Sequence, residues 1–342
     1  MTISLEDFFV LRSQLPVVDV RSEGEYAQGH IRDAVNIPLL NNQERVVVGT
    51  TYKQQGQLEA IKAGFNLVGP RLGEIIEETL RVVRYRGSND TLVHCWRGGM
   101  RSANFCRFVE MVGIKTRTLE GGYKSYRQRA VESFSLPFRF NVIGGCTGSG
   151  KSEILRALAA EGEQVIDLEL LASHKGSVFG GLLMPSQPTT EQFQNELFET
   201  ILKLNLSKRI WIEDESVAIG QIFLPEPLWR TMGVSPLVEL EASREVRLQR
   251  LVREYGSADK DAFLHAMERI TRKLGGQHFK AAVEKLQEGD MHSVIEILLT
   301  YYDKAYMNGL ERKKSRIERR ISWDGANAHS VVEELLKGKV KT

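Results

Sequence analysis

The stretch Gly145-Cys146-Thr147-Gly148-Ser149-Gly150-Lys151-Ser152 decides the fold of the second half of the chain. It has the pattern G-x-x-x-x-G-K-S, in which backbone N–H groups surround a diphosphate and a lysine adds positive charge. Residues 138–143 before it alternate in the way of a strand, and residues 153–160 after it have helical spacing. This strand-loop-helix order predicts a parallel α/β domain. The predicted diphosphate-binding residues are Gly145, Gly148, Gly150, Lys151 and Ser152.

Acidic residues follow two further predicted strands of this domain. Residues 163–167 end at Asp167, and residues 209–212 are followed closely by Asp214. The carboxyl ends of parallel strands meet near a phosphate loop, where Ser152 can hold Mg²⁺ and a carboxylate can assist it. Asp214 and Asp167 are therefore candidates for a magnesium site, although solvated acids at strand ends give the same pattern. The motif itself fits ATP and GTP as well as other diphosphates.

A second loop, His94-Cys95-Trp96-Arg97-Gly98-Gly99-Met100-Arg101-Ser102, lies between the apolar run 91–93 and a predicted helix over 103–112. The amino end of a helix favours a thiolate, and the glycine pair lets backbone N–H groups point inward. A thiol pKa lowered by about two units, worth roughly 2.7 kcal/mol, makes the thiolate dominant at neutral pH. A buried structural cysteine needs neither the glycines nor the arginines. The predicted catalytic residues are the nucleophile Cys95 and the anion-binding Arg97 and Arg101.

The first 130 residues also carry an ordered series of short motifs. These are Asp-Val-Arg at 19–21, Glu-Tyr at 25–26, Gly-His-Ile at 29–31, Ala-x-Asn-Ile-Pro at 34–38 and Leu-Glu-Gly-Gly-Tyr at 119–123. Together with the cysteine loop, this series resembles the rhodanese domain. The resemblance implies an α/β fold in which Cys95 follows a buried strand.

The length of the cysteine loop differs from the common rhodanese pattern. Five residues separate Cys95 from Arg101, one more than in common sulfur-transfer rhodaneses. A wider loop of this kind resembles that of Cdc25-type phosphatases, which accept bulkier substrates. The loop alone therefore leaves both chalcogen transfer and phosphoester hydrolysis open.

Composition and charge indicate an ordinary globular protein with room for two domains. The 342 residues are 42% apolar and 26% charged with a net charge of +2, so nucleic-acid binding must come from a local patch. Three cysteines without paired spacing give no disulfide framework and no zinc site. No apolar run approaches the ~20 residues that span a membrane, and the first residues lack a signal-peptide pattern. These features predict a cytoplasmic protein that has no membrane partner.

The motifs also divide the chain. We expect a rhodanese-like domain over residues 1–130, a linker over 131–137, and a P-loop NTPase-like parallel-sheet domain over 138–342 with a helical C-terminal part. Basic residues concentrate over 312–320, next to several tyrosines. Arginine beside aromatic side chains suits contact with RNA phosphates and bases, but a solvated helix face has the same composition. Both interpretations remain open. The tyrosines are Tyr301, Tyr302 and Tyr306.

The order of the two domains resembles the tRNA 2-selenouridine synthase family over nearly the whole chain. The segments that carry this resemblance are residues 52–54, 95–102, 121–127 and 213–216. The resemblance implies an enzyme that replaces the sulfur of a wobble 2-thiouridine in certain tRNAs with selenium. The sulfur is first alkylated by geranyl diphosphate, and the S-geranyl group is then exchanged for selenium from selenophosphate.

The same resemblance implies substrates and partners rather than a tightly bound cofactor. Geranyl diphosphate would occupy the loop of Lys151 and Ser152, and selenophosphate the loop of Cys95. The partners would be a tRNA with a wobble 2-thiouridine and an enzyme that supplies selenophosphate. Two alternatives stand beside this interpretation. One is a Cdc25-type phosphatase or a sulfurtransferase fused to a regulatory nucleotide-binding domain, and the other treats the second domain as an RNA-delivery module without catalysis.

Overall fold

The computed structural model describes residues 1–337; residues 338–342, which end the predicted second domain, lie outside the described residues. The chain forms two compact units. The first takes residues 1–133 together with residues 194–199, and the second takes residues 134–193 and the chain from residue 200 onward. Within the described chain, no helix combines the length and the apolar character needed to cross a membrane.

The first unit alternates strands and helices along the chain. Its strands are β1 (Thr2–Ile3), β2 (Val17–Asp19), β3 (Ala34–Asn36), β4 (Asp90–His94) and β5 (Lys115–Leu119). Its helices are α1 (Leu5–Leu11), α2 (Glu23–Gln28), α3 (Asn42–Gln55), α4 (Gln57–Val68), α5 (Leu72–Tyr85), α6 (Met100–Glu110) and α7 (Gly122–Ser133), with a 3₁₀ turn over Gly69–Arg71.

The strands of the first unit form one parallel sheet in the order β1-β5-β4-β2-β3. Strands β2 and β4 are almost completely buried, as expected where helices cover both faces of a parallel sheet. Two helices begin with capping boxes, Ser22 with Glu25 for α2 and Asn41 with Glu44 for α3. Because β4 is the central strand, its carboxyl end lies between the ends of β2 and β5.

A fully buried ion pair supports this end of the sheet. Arg21 and Asp19 are both 0% exposed, and their side chains meet at 2.6 Å. The Arg21 guanidinium also lies 3.7 Å from the centre of the Tyr123 ring and donates to the carbonyl of Gly29 at 2.7 Å. Burial opposes ionisation of Asp19, but His94 and Arg21 outweigh it and hold the pKa of Asp19 below its usual value. The Asp-Val-Arg motif is therefore a structural support beside β4.

The second unit is also an α/β arrangement. Its strands are β6 (Phe140–Gly145), β7 (Val165–Ile166), β8 (Ile210–Glu213), β9 (Ala218–Ile219), β10 (Ile222–Phe223), β11 (Leu237–Glu241) and β12 (Ile317–Ser322). Its helices are α8 (Lys151–Ala160), α9 (Leu168–Leu171), α10 (Thr190–Ile201), α11 (Glu226–Val234), α12 (Arg244–Tyr255), α13 (Lys260–Glu268), α14 (Thr271–Leu274), α15 (Gly276–Glu288), α16 (Met291–Lys313) and α17 (Ala328–Lys337), with a 3₁₀ turn over Lys314–Arg316. Residues 194–199 of α10 belong to the first unit.

Five of these strands form a second parallel sheet in the order β12-β11-β6-β8-β7, and β9 and β10 form a separate antiparallel pair. Strand β6 is buried along its whole length and lies between β11 and β8. Its carboxyl end is therefore the point where the strand order reverses, which is where open α/β sheets bind ligands. The phosphate loop starts at this end of β6.

The predicted α/β class with two parallel sheets is confirmed, and the helices α12 to α16 form the predicted helical part. Strand β12 was not predicted. It joins the sheet by pairing with β11, a contact that local spacing cannot reveal.

Part of the predicted linker is helical. Helix α7 continues to Ser133, and its residues Tyr126, Ala130 and Ser133 are buried. Arg127, just before the predicted linker, also has a partner within the first unit, because it donates to Asn195 at 2.7 Å. The predicted domain limits themselves stay a prediction.

Candidate functional site

The cysteine loop joins β4 to α6, as its sequence predicts. Cys95 is buried, with an exposed fraction of 3%. The backbone N–H of Gly99 donates to the Cys95 Sγ at 3.3 Å, and the Ser102 hydroxyl also lies 3.3 Å from this sulfur. The thiol therefore has two polar neighbours at the amino end of α6.

These neighbours change the acidity of the thiol. Burial alone would raise the pKa of Cys95, but hydrogen bonds from Ser102 and from the backbone at Arg97 and Gly99 lower it below the ordinary value. Cys106 of α6 gives the contrast, because burial raises its pKa to about 11. The direction at Cys95 agrees with that expected for a nucleophile, and the Ser102 contribution was missed. The sequence feature that could have revealed it is a hydroxyl residue in the first turn of α6.

The two arginines of the loop differ in their surroundings. Arg101 forms two hydrogen bonds with the carboxylate of Glu25, at 2.6 and 3.1 Å, while Arg97 is exposed. Arg45 also contacts Glu25, at 3.2 Å. Burial opposes ionisation of Glu25, but Arg101 outweighs it and lowers the pKa of the carboxyl. An anion that binds Arg101 must therefore compete with Glu25. Glu25 was not predicted as a site residue.

A glycine turn supports the loop from the end of β5. Gly122 has φ +61°, and a Cβ atom at this position would lie only 2.4 Å from the carbonyl oxygen of Cys95. The next two residues donate backbone hydrogen bonds to the loop, Tyr123 to the carbonyl of Cys95 and Lys124 to that of Trp96, both at 2.9 Å. Only glycine permits this approach.

The phosphate loop of the second unit joins β6 to α8. Gly150 precedes the helix in a left-handed conformation, and Lys151 Nζ lies 3.4 Å from the carbonyl of Gly145. The loop lines a cavity of about 790 Å³, to which Gly145, Gly148, Gly150, Lys151, Ser152 and Asp214 all contribute. The structure therefore brings the predicted diphosphate-binding residues together.

Acidic side chains surround the lysine of this loop. Burial would lower the pKa of Lys151, but the charges of Glu169, Glu215 and further acids raise it. Ser152 donates to Glu169 at 2.7 Å, and the backbone N–H of Glu169 donates to Glu213 at 2.7 Å. Burial raises the pKa of Glu215 to about 7, with further upward contributions from Glu169 and Asp214. Glu169 and Glu215 were not predicted as site residues, although each lies within three residues of the end of a predicted strand.

The candidate magnesium carboxylates have other partners. Asp214 is paired with Lys313, and Asp167 accepts the backbone N–H of Leu170 at the start of α9. Over residues 1–337, no three acidic, histidine or cysteine side chains converge in a way that would hold a metal ion. The Ser152 hydroxyl and the Glu169 carboxylate are oxygen ligands of the kind that Mg²⁺ prefers, and substrate phosphates commonly complete such a site. Mg²⁺ therefore fits this loop only together with a phosphate ligand.

The basic C-terminal segment contributes to the same cavity. Lys313, Tyr301, Tyr302 and Tyr306 all line it. Tyr302 accepts a hydrogen bond from the backbone N–H of Val178 at 3.2 Å. The side chain of Arg312 lies outside what the structure describes. At least part of this segment therefore serves the phosphate-loop cavity rather than a solvated helix face.

Comparisons with known proteins identify both the domain that carries the cysteine loop and the domain that carries the phosphate loop. The family model of the tRNA 2-selenouridine synthase AAA domain matches residues 138–336, and that of the rhodanese-like domain matches residues 10–129. The tRNA 2-selenouridine synthase of Sulfurovum sp. (strain NBC37-1) is 35% identical, covering 90% of this chain and 92% of the relative. The chain belongs to the tRNA 2-selenouridine synthase family.

Other members are similarly related along their length. The synthase of Nitrosomonas europaea is 30% identical, covering 91% of this chain and 94% of its own, and that of Salmonella typhi is 35% identical, covering 93% and 95%. Among solved structures, the N-terminal domain of a protein from Clostridium difficile 630, described as ATP/GTP binding, is 39% identical with a TM-score of 0.35, covering 37% of this chain and 97% of that chain. The family matches and the full-length relatives confirm the predicted family.

The close approach at Gly122 leads to a first prediction. Gly122→Ala is expected to cost more than about 3 kcal/mol, because left-handed strain is joined by contact with the backbone of the cysteine loop. Gly113→Ala is the matched control, since Gly113 has φ +87° and a Cβ there meets nothing within 4 Å. We expect it to lose only about 1–2 kcal/mol. Urea denaturation measures both losses, and equal losses would contradict the supporting role of Gly122.

The acid cluster leads to a prediction about pH. Glu215 has a pKa of about 7 in the folded chain against an ordinary value of 4.5, so the folded state keeps its proton longer as pH rises. Its contribution to stability is therefore lost between about pH 4.5 and 7, by up to about 3 kcal/mol. Glu215→Gln cannot ionise, so it should gain stability over the native chain as pH rises through this window. Thermal unfolding at pH 5 and pH 8 measures the gain, and an equal difference at both pH values would exclude this assignment.

Proposed function

We propose that this protein converts the wobble 2-thiouridine of tRNA into 2-selenouridine through an S-geranylated intermediate. The observation that carries this proposal is the coexistence, in one member of the tRNA 2-selenouridine synthase family, of a thiol with a lowered pKa and a complete phosphate loop. Each loop suits one of two chemical steps. The first step activates the sulfur of the base, and the second replaces it.

The phosphate loop suits the alkylation step. The sulfur of 2-thiouridine attacks the first carbon of geranyl diphosphate, a C–S bond forms, and the C–O bond to pyrophosphate breaks. Negative charge therefore grows on the leaving diphosphate. Lys151 and the backbone N–H groups of the loop can stabilise this charge, and Mg²⁺ held by Ser152 would supply further neutralisation when bound.

The cysteine loop suits the exchange step. A thiocarbonyl sulfur leaves poorly, whereas a geranyl thiolate leaves well once selenium has added to C2 of the base. The overall exchange consumes S-geranyl-2-thiouridine, selenophosphate and water, and it yields 2-selenouridine, geranyl thiol and phosphate. Cys95 acts as the nucleophile of this step: its thiolate attacks the phosphorus of selenophosphate, so that an S–P bond forms, the P–Se bond breaks, and the selenide released adds to C2 of the base. Water then hydrolyses the S–P bond, which releases phosphate and regenerates the Cys95 thiolate. The loop N–H groups, Arg97 and Arg101 hold the tetrahedral selenophosphate, so an enzyme that makes selenophosphate is the expected supplier.

The role of Cys95 can be tested by replacing its sulfur. Cys95→Ser is nearly isosteric, so the fold should remain while selenium incorporation is lost. Geranylation of tRNA should continue, because it belongs to the other loop. Mass spectrometry of wobble nucleosides measures both products, and Cys106→Ala is a control that should retain both. Normal selenouridine formation by the serine variant would remove Cys95 from the reaction.

The role of Lys151 can be tested by supplying the intermediate. Lys151→Ala should weaken geranyl diphosphate binding by roughly 10- to 100-fold, the usual effect of losing a hydrogen bond to a charged group. Pre-geranylated tRNA should restore selenation in this variant. Lys203→Ala, at an exposed lysine of the second unit, should bind geranyl diphosphate normally. Unchanged geranylation by Lys151→Ala would assign the loop to another ligand, such as a nucleotide.

A further inference from the structure

The first unit contains a cavity that neither loop explains. It has a volume of about 460 Å³, within the range of about 300–1,000 Å³ for small-ligand pockets. It lies between helices α3, α4 and α6, and its walls are almost entirely apolar. The apolar side chains that line it include Leu39, Val48, Ile61, Phe65 and Phe108.

This cavity borders the cysteine loop directly. Met100 and Arg101, which line the cavity, follow Gly99, whose N–H donates to the sulfur of Cys95. Gln57 of α4 contacts the sulfur of Met100 at 3.8 Å and so connects the far wall to the loop. A group bound at the cysteine loop can therefore extend an attached chain into the cavity.

Charge and exposure give the cavity a direction. Arg45, Lys53 and Arg101 are the charged residues of its lining, and all three are cationic. Tyr52 and Phe65 of the lining are 58% and 53% exposed, so part of this apolar surface is open to solvent. A ligand that matches this pattern has an apolar chain inside and an anionic part outside.

We propose that the cavity binds the geranyl chain of S-geranyl-2-thiouridine while Cys95 carries out the selenium exchange. The proposal rests on the proposed function, because the exchange places a ten-carbon chain on the sulfur next to the selenium donor. The cations of the lining, Arg45, Lys53 and Arg101, then contact the phosphates of the tRNA. Geranyl diphosphate carries the same hydrocarbon chain, but the proposed function assigns it to the phosphate loop of the second unit.

Gly64 offers a way to fill the cavity. It lies in α4 and lines the cavity, and a Cβ atom at this position meets only Val48 Cγ2, at 3.9 Å. Gly64→Leu would therefore place a side chain in the cavity and would favour the helix. Gly73→Leu is the matched control, because Gly73 is an exposed glycine of α5 outside the lining whose Cβ meets nothing within 4 Å.

The experiment measures binding of an anticodon stem-loop RNA whose wobble base carries either an S-geranyl or an S-methyl group. Each buried methylene is worth roughly fourfold in affinity, so the full native chain should prefer the geranyl RNA at least about thirtyfold. Gly64→Leu should reduce this preference to less than about threefold without changing the affinity for the methyl RNA. Gly73→Leu should keep the native preference. Binding of geranyl diphosphate should be the same in all three proteins.

Three results would overturn the assignment of the cavity. If the native protein shows no geranyl preference, or if Gly64→Leu keeps the preference, the geranyl group binds elsewhere. Loss of geranyl diphosphate binding in Gly64→Leu would mean that the cavity binds geranyl diphosphate instead of the S-geranyl base. Conversion of the geranyl RNA by the native chain with selenophosphate is measured in parallel. If no selenouridine forms but the geranyl preference depends on Gly64, the proposed function fails and the cavity assignment stands.

Discussion

Both loops depend on the same physical constraint, which is that several backbone N–H groups must converge on one small volume at the amino end of a helix. Residues with a Cβ atom rarely adopt the backbone angles that this requires. Gly98 and Gly122 in the first unit and Gly148 and Gly150 in the second all have positive φ. At Gly122 the constraint is strongest, because backbone from the end of β5 closes directly on the carbonyl of Cys95.

Carboxylates balance the cations of both loops. Arg101 is paired with Glu25, and Lys151 is surrounded by Glu169, Glu215 and neighbouring acids. A phosphate that binds either loop must replace or repel these carboxylates, so part of the binding free energy is spent on rearranging charge. In the second unit the cost is smaller at low pH, because a protonated Glu215 does not repel the incoming anion.

In the proposed function, the two units serve different steps of one reaction. The second unit offers Lys151 and the loop N–H groups in a cavity of about 790 Å³ that both cations and carboxylates line, and in the proposed function these donors stabilise a diphosphate leaving group. The first unit offers an acidic thiol beside an apolar cavity of about 460 Å³, which favours a sulfur or selenium centre that carries a hydrocarbon chain. Under the proposed function, this division accounts for the presence of a rhodanese-like domain and a phosphate-loop domain in one chain.

The sequence by itself determined the α/β class, the two loops and their positions between strand and helix, because these features depend on residues close together in the chain. Tertiary structure alone decided which carboxylates meet the loops. Glu25 reaches Arg101 across 76 positions and Glu169 reaches Ser152 across 17, and no local pattern marks either pair. The same holds for β12 beside β11, for residues 194–199 in the first unit and for the apolar cavity between α3, α4 and α6. Each of them arises from the packing of elements whose relative placement is set by the whole fold rather than by neighbouring residues.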